Sequence, residues 1–304
     1  MKIVYFGTSS FACPVLKQLH LDRDIDIALV VSRPSRKAGR GRKQSTPPVA
    51  LLAEQLGLPL VQPEKLKEIK DILIEISPLF MVSASYGGWL PEWLLTLTKL
   101  GVVNIHPSLL PRHRGAAPII RSILEGDKVT GISFMVTDNG WDTGDVLDVF
   151  EYALSGTETA GELEEFLANE SAIRLPAILK AYSSGQLLPT PQIGPENYAE
   201  KVTSDEAFIS WNEKAENIRR QILAFNPVPG ARTFFRSKLL KIYSADKIEG
   251  IGDPGRIISV DPLIVGCLGS ALQINEIQPQ GKKRMAASDF VRGYRIQQGD
   301  CLGD

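Results

Sequence analysis

Short apolar runs alternate with stretches of helical texture through the first half of the chain, and this alternation restricts the fold more than any other feature. Ile3–Phe6, Ile25–Ser32, Phe80–Ala84 and Val102–Ile105 read as buried strands, with helices at Phe11–Leu19 and Ala50–Gln55. Strands without polar alternation are covered on both faces, so an α/β, Rossmann-like domain with a mostly parallel sheet is expected. Functional groups on such sheets gather at the carboxyl ends of the strands.

The texture changes after Gly185. Leu187–Tyr198 carries Pro189, Pro191, Gly194 and Pro195 without a helical period and reads as a linker. Beyond it come a helix, Ala215–Phe225, and short β-like runs at Leu239–Tyr243, Arg256–Val260, Leu263–Cys267 and Leu272–Ile277. Their frequent turns suggest a small OB-like barrel. With 304 residues, about two domains are expected. The division is placed at 1–186 for the α/β domain, 187–205 for the linker and 206–304 for the barrel.

Cys13, Cys267 and Cys301 form neither a disulfide framework nor a zinc-ligand spacing, which fits a reducing cytoplasm. The opening MKIVYFGTSSF lacks the features of a secretory signal, and no run reaches the roughly 18 apolar residues of a membrane helix. No membrane partner is therefore expected. Without a heptad pattern a coiled-coil dimer is disfavoured, and a monomer is expected.

The net charge of -1 looks like an argument against a nucleic-acid partner. Its distribution says otherwise. Residues 1–205 hold 20 basic and 24 acidic side chains, and residues 206–304 hold 14 and 11. No acid occurs between Asp26 and Glu54, where Arg33, Arg36, Lys37, Arg40, Arg42 and Lys43 cluster among glycines and prolines. This segment is expected to be an exposed basic loop. A solvated charged turn and a phosphate-binding element are evenly matched explanations of it.

Gly7-Thr8-Ser9-Ser10-Phe11 stands between a strand and a helix but lacks G-x-G-x-x-G, which disfavours a nicotinamide or flavin cofactor. The strongest segment is Val102–Arg112. Asn104 and His106 alternate along the strand and so share a face at its end, before Pro107 stops it. An amide and an imidazole side by side can hold one carbonyl oxygen on which charge develops, the arrangement acyl transfer needs; a histidine that merely caps the strand is the plain alternative. Asp138–Asp145 is a turn crowded with carboxylates. One of them beside His106 would fix its tautomer and favour the protonated ring. The turn lacks the calcium-loop pattern, and no nucleophile elbow or metal-ligand spacing is present.

Asn104-Ile105-His106-Pro107-Ser108-Leu109-Leu110-Pro111-Arg112, then Arg114-Gly115-Ala116-Ala117-Pro118-Ile119, then Trp141-Asp142-Thr143-Gly144-Asp145 together resemble the 10-formyltetrahydrofolate-dependent formyltransferases. The likeness extends over nearly the whole chain, through Phe6-Gly7-Thr8, Ala38-Gly39-Arg40-Gly41, Tyr86-Gly87, Leu90-Pro91, Ala224-Phe225-Asn226-Pro227 and Gly281-Lys282-Lys283. Within the family, the basic loop and the Gly-Lys-Lys segment point to the branch that formylates methionyl-initiator tRNA. The resemblance implies a catalytic trio of Asn104, His106 and Asp142, with no metal. It implies folate contacts from Ser108, Leu109, Leu110, Pro111, Tyr86 and Gly87, and tRNA contacts from Arg36, Lys37, Arg40, Arg42, Lys43, Lys282 and Lys283. Trp141, Trp89 and Val228 depart from the family's usual residues. A sugar-amine formyltransferase would share the trio without needing the basic segments. An inactive RNA-binding scaffold would not need the trio, and a folate hydrolase would share it.

Overall fold

The computed structural model describes residues 1–38, 43–250 and 252–303. They form two compact units. One comprises Met1–Gly115, Thr130–Tyr152 and Glu164–Tyr198, and the other comprises Ala116–Val129, Ala153–Leu163 and Ala199–Asp304.

The first unit begins with β1 (Lys2–Gly7), α1 (Ala12–Leu21), β2 (Asp26–Val31), β3 (Arg36–Ala38), β4 (Lys43–Ser45), α2 (Pro48–Gln55) and β5 (Leu60–Val61). It continues with α3 (Lys70–Ile76), β6 (Phe80–Ala84), α4 (Glu92–Leu95), β7 (Val102–His106) and β8 (Arg114–Gly115). After α5 (Pro118–Glu125), part of the second unit, β9 (Val129–Val136), β10 (Val146–Ala153) and most of α6 (Ala160–Ser183) complete it.

Seven strands lie in the order β10-β9-β7-β6-β1-β2-β5. Pairing is parallel from β7 to β5 and turns antiparallel between β7 and β9. In β1 and β6, Ile3, Val4, Tyr5, Phe6, Phe80, Met81 and Val82 have no solvent exposure. Cover on both faces is why these strands read as continuous apolar runs. The expected mostly parallel sheet is thus the one observed, while the pattern of the first four strands gave no sign of the antiparallel pair beyond β7.

The chain lays β2 and β5 on one side of β1 and then crosses to β6 on the other. This makes a switch point whose carboxyl-end crevice suits a ligand. Thr8 Oγ1 donates to the Tyr86 carbonyl at 2.7 Å, and Ser9 Oγ to Ser85 Oγ at 2.7 Å, joining the loops after β1 and β6. Gly7 is needed there because a Cβ would stand 2.8 Å from the Tyr5 ring and 3.0 Å from the Ala12 methyl. At the far end of α6, Lys180 Nζ lies 2.9 Å from Asp22 and 2.7 Å from Asp24.

The basic segment is not a bare loop at its ends. β3 and β4 pair antiparallel, Arg36 with Ser45 and Ala38 with Lys43, as a two-stranded ribbon.

The second unit follows β11 (Tyr198–Ala199), whose two residues fall one in each unit. It contains α7 (Ala215–Ala224), β12 (Ala231–Phe235), β13 (Lys238–Ile248), β14 (Ile257–Val260), β15 (Leu263–Cys267), β16 (Ser270–Pro279), β17 (Met285–Ala286) and α8 (Ala287–Tyr294). Its antiparallel sheet runs β12-β13-β16-β15-β14, with β17 beside β16. Trp211, Ile218, Ile222, Phe235, Ile242, Leu272 and Phe290 form a core of its own. Among the described residues no helix is long and apolar enough to cross a membrane.

Candidate active site

Strand β7 does what its sequence predicts. Asn104 and His106 point the same way, Asn104 opposite Ser83 and Met135 and His106 opposite Ser133. Asn104 is half-buried, and its side-chain amide has no hydrogen-bond partner among the described residues. His106 is only 4% exposed. Its Nε2 lies 2.8 Å from the carbonyl oxygen of His113. A carbonyl only accepts, so Nε2 carries a proton and spends it there. Nδ1 faces Asp142 Oδ2 at 3.6 Å, a charge contact longer than a hydrogen bond. Both ring nitrogens therefore look at acceptors.

Asp142 sits in a clamped turn. Its Oδ2 accepts from the Gly115 amide at 2.9 Å. Asp138 receives Gly140 N at 3.0 Å and Thr143 Oγ1 at 2.7 Å, closing an Asx-type turn just before it. Gly144 passes so close to β9 that a Cβ would meet the Val136 carbonyl oxygen at 1.9 Å. Val136 N then donates to Asp145 O at 2.8 Å. The acidic crowding in the sequence is thus mostly turn construction, which leaves one carboxylate aimed at His106.

The run after β7 is partly structural. Ser108 is fully buried, and its hydroxyl donates to the Arg112 carbonyl at 2.7 Å. Its carbonyl accepts from Ser133 Oγ at 2.7 Å, and that oxygen in turn accepts Leu110 N at 3.0 Å. Leu109 and Leu110 remain half-buried, Pro111 is buried, and the Leu110–Pro111 peptide is cis. The Tyr86 ring is buried edge-on against Phe6 at 5.5 Å, and burial pushes its phenol above the ordinary range. Gly87 turns the chain with φ +70 and open space around it. Trp141 and Trp89 meet with ring centroids 5.2 Å apart on the surface beside this turn. At 64% and 51% exposed, they leave the interior packing unaltered.

Of the basic residues, Arg36 is exposed. Lys37 and Lys43 are described by their backbone alone, and Arg40 and Arg42 lie outside the described residues. Lys282 and Lys283 are exposed in the turn between β16 and β17, in the other unit.

Sequence reasoning missed Arg114, Gln192 and Asn197. Arg114 is buried in the first unit. Its Nε donates to Gln192 Oε1 at 3.1 Å, and its Nη1 pairs with Glu196. Two amide side chains among the prolines of Leu187–Tyr198 were the only available signal.

Comparison with known proteins places this geometry in context. The profile described as formyl transferase matches residues 1–179, and that of the formyl transferase C-terminal domain matches residues 201–295. A methionyl-tRNA formyltransferase of Pelotomaculum thermopropionicum is 38% identical over 100% of this chain and 99% of its own. One of Caldanaerobacter subterraneus is 41% identical over 99% and 100%. Among solved structures, HypX from Aquifex aeolicus in complex with tetrahydrofolic acid superposes with a TM-score of 0.64. It is 14% identical and covers 99% of this chain and 50% of that one, a likeness of fold.

Proposed function

The chain belongs to the formyl transferase family, and from that premise we infer that it transfers the formyl group of 10-formyltetrahydrofolate to the α-amino group of methionyl-initiator tRNA, giving N-formylmethionyl-tRNA. The observation that carries the chemistry is the Asn104 amide, without a hydrogen-bond partner among the described residues, on the same strand face as an imidazole whose two nitrogens face acceptors. Support for the acceptor substrate comes from full-length relatives named for it and from the basic segments that a sugar-amine enzyme would not need.

The neutral amine attacks the formyl carbon, and negative charge gathers on the formyl oxygen. Asn104 donates one hydrogen bond to that oxygen. His106 has committed Nε2 to the His113 carbonyl, so its donor toward substrate is Nδ1–H, held near Asp142 but not bonded to it. A placed donor of this kind contributes on the order of 10²–10³ in rate. Asp142 stabilises the cationic ring and takes the proton the amine loses; as the tetrahedral intermediate collapses, the bond from the formyl carbon to N10 breaks, and N10 leaves with that proton as the secondary amine of tetrahydrofolate. Ser108 acts through the turn it holds. Leu109, Leu110, Pro111, Tyr86 and Gly87 supply the wall against which the folate rests. Arg36, Lys37, Arg40, Arg42 and Lys43 contact tRNA phosphates, and Lys282 and Lys283 do the same from the second unit. Residues 1–186 carry the transfer, and residues 206–304, joined through 187–205, hold the tRNA. The enzyme acts as a cytoplasmic monomer.

The test is to incubate the purified protein with 10-formyltetrahydrofolate and Met-charged initiator tRNA, with elongator Met-tRNA as control. Formyl-methionine on the initiator alone is expected. Its absence, with formylation of a nucleotide-linked sugar amine or release of free formate, would overturn the assignment.

A further inference from the structure

The proline-rich segment expected as a linker is bound against the site in two places. Gln192 Nε2 gives one hydrogen to the Asp142 carbonyl at 2.8 Å and the other to the Gly144 carbonyl at 2.8 Å. Its Oε1 accepts from Arg114 Nε at 3.1 Å and Nη2 at 2.8 Å. Two carbonyls on one side and a guanidinium on the other fix which way the amide points, and use both its hydrogens and its oxygen. Five residues on, Asn197 Oδ1 accepts from His113 N at 2.6 Å. The Asn197 carbonyl accepts Arg114 N at 3.1 Å. The carbonyl of His113 is the one that receives His106 Nε2. One strap thus holds the backbone behind both members of the His106–Asp142 pair.

Asp142 needs holding. Its φ of +53 is a left-handed conformation, which costs a residue with a side chain on the order of 1 kcal/mol and persists where the surroundings impose it. Released from that conformation, residue 142 would swing its carboxylate away from Nδ1. Apart from the turn's own bonds, the Gln192 amide is the group fastened to the Asp142 carbonyl.

We propose that Gln192 is a positioning residue that sets the Asp142 carboxylate against His106 through paired hydrogen bonds to the carbonyls of residues 142 and 144, with Arg114 as its anchor. This rests on the role given to Asp142 above. Gln192→Glu keeps the shape and the Arg114 anchor but loses both donors. Gln192→Asn keeps the amide but withdraws it by one methylene without adding charge. In the full-length enzyme each variant lowers kcat about tenfold or more, since a displacement of about 1 Å at a reacting group can cost on the order of 10². KM for both substrates stays within about threefold, the pH–rate profile moves, and the variants stay folded with a lowered melting temperature, because two carbonyls lose their donors. A wild-type kcat and pH profile in either folded variant overturns the proposal. Asp142→Asn, measured alongside, separates the two claims. If it is slow while Gln192→Glu is not, Gln192 has no positioning role. If it turns over like wild type, the role of Asp142 falls, and that of Gln192 falls with it.

Discussion

Replacing Asp142 by asparagine keeps the shape of the turn and removes one charge. The asparagine Oδ1 can still accept from Gly115 N, so the clamp that includes the 2.9 Å bond survives. What disappears is a negative charge 3.6 Å from His106 Nδ1, whose loss sets the minimum effect, and with it the oxygen that takes the amine proton. At that distance a unit charge pair is worth about 1.2 kcal/mol in a medium like water and about 4.6 kcal/mol at an effective dielectric of about 20. The His106 side chain is 5% exposed and that of Asp142 21%, so the setting lies between these limits. At about 1.36 kcal/mol per decade, kcat falls between about 10-fold and about 10³-fold. The assay is formyl transfer to initiator Met-tRNA at saturating folate, resolved by the mobility of the charged tRNA. The KM values and the thermal midpoint should stay close to wild type. A kcat within threefold of wild type would refute the claim that this carboxylate supports the cationic ring, and a collapsed melting temperature would show that it serves the fold instead.

Asn104→Ala removes an amide with no hydrogen-bond partner among the described residues, so melting stays unchanged while kcat drops at least tenfold; equal losses of both would contradict the role given to it. His106→Ala lowers kcat at least as much but also strips the His113 carbonyl of its donor, costing about 1–3 kcal/mol in a denaturant titration. Burial pushes the Cys267 thiol up to about 12, so a thiol reagent at pH 8 should reach it after unfolding and Cys13 and Cys301 before. Three equal fast rates would disprove that order. The Arg121 guanidinium, and then the Thr203 amide, hold the Glu206 carboxyl below its ordinary range. Its stabilising effect is thus present above the unfolded carboxylate pKa of about 4.3 and is lost as pH falls through the lower folded value. Because the pair is partly solvated, Glu206→Gln should cost under about 1 kcal/mol at pH 7, a difference that shrinks toward pH 3. A gap that does not change with pH would speak against the linkage.

The strands were legible because two-sided burial writes itself into composition. Ile3–Phe6 and Phe80–Ala84 are apolar without interruption for that reason. Asn104 and His106 were legible because alternation in a strand is a strict geometric rule. Asp142 could be picked from its crowded turn only through family resemblance, since Asp138 and Asp145 are chemically equivalent on paper. Space alone separates them: Asp138 is consumed by Gly140 and Thr143. The strap could not be read at all. Its bonds span 48 to 84 positions and mostly join side chains to backbone, and such bonds leave no periodicity. The prolines that suggested a tether are equally suited to an extended segment laid across a surface.

The ribbon of β3 and β4 lies between Val31 and Pro48, and none of its described residues belongs to a strand of the seven-stranded sheet. It can lengthen, shorten or change charge while the strands around β1 keep their register, since each doubling of a flexible loop costs only about 0.6 kcal/mol in closure entropy. This ribbon and the strand bearing Asn104 and His106 can therefore vary on separate schedules. If the ribbon contacts the tRNA as proposed, a family built this way could exchange its acceptor substrate by rewriting one appendage while the strand bearing Asn104 and His106 stayed untouched. Grafting ribbons between relatives is the corresponding engineering route.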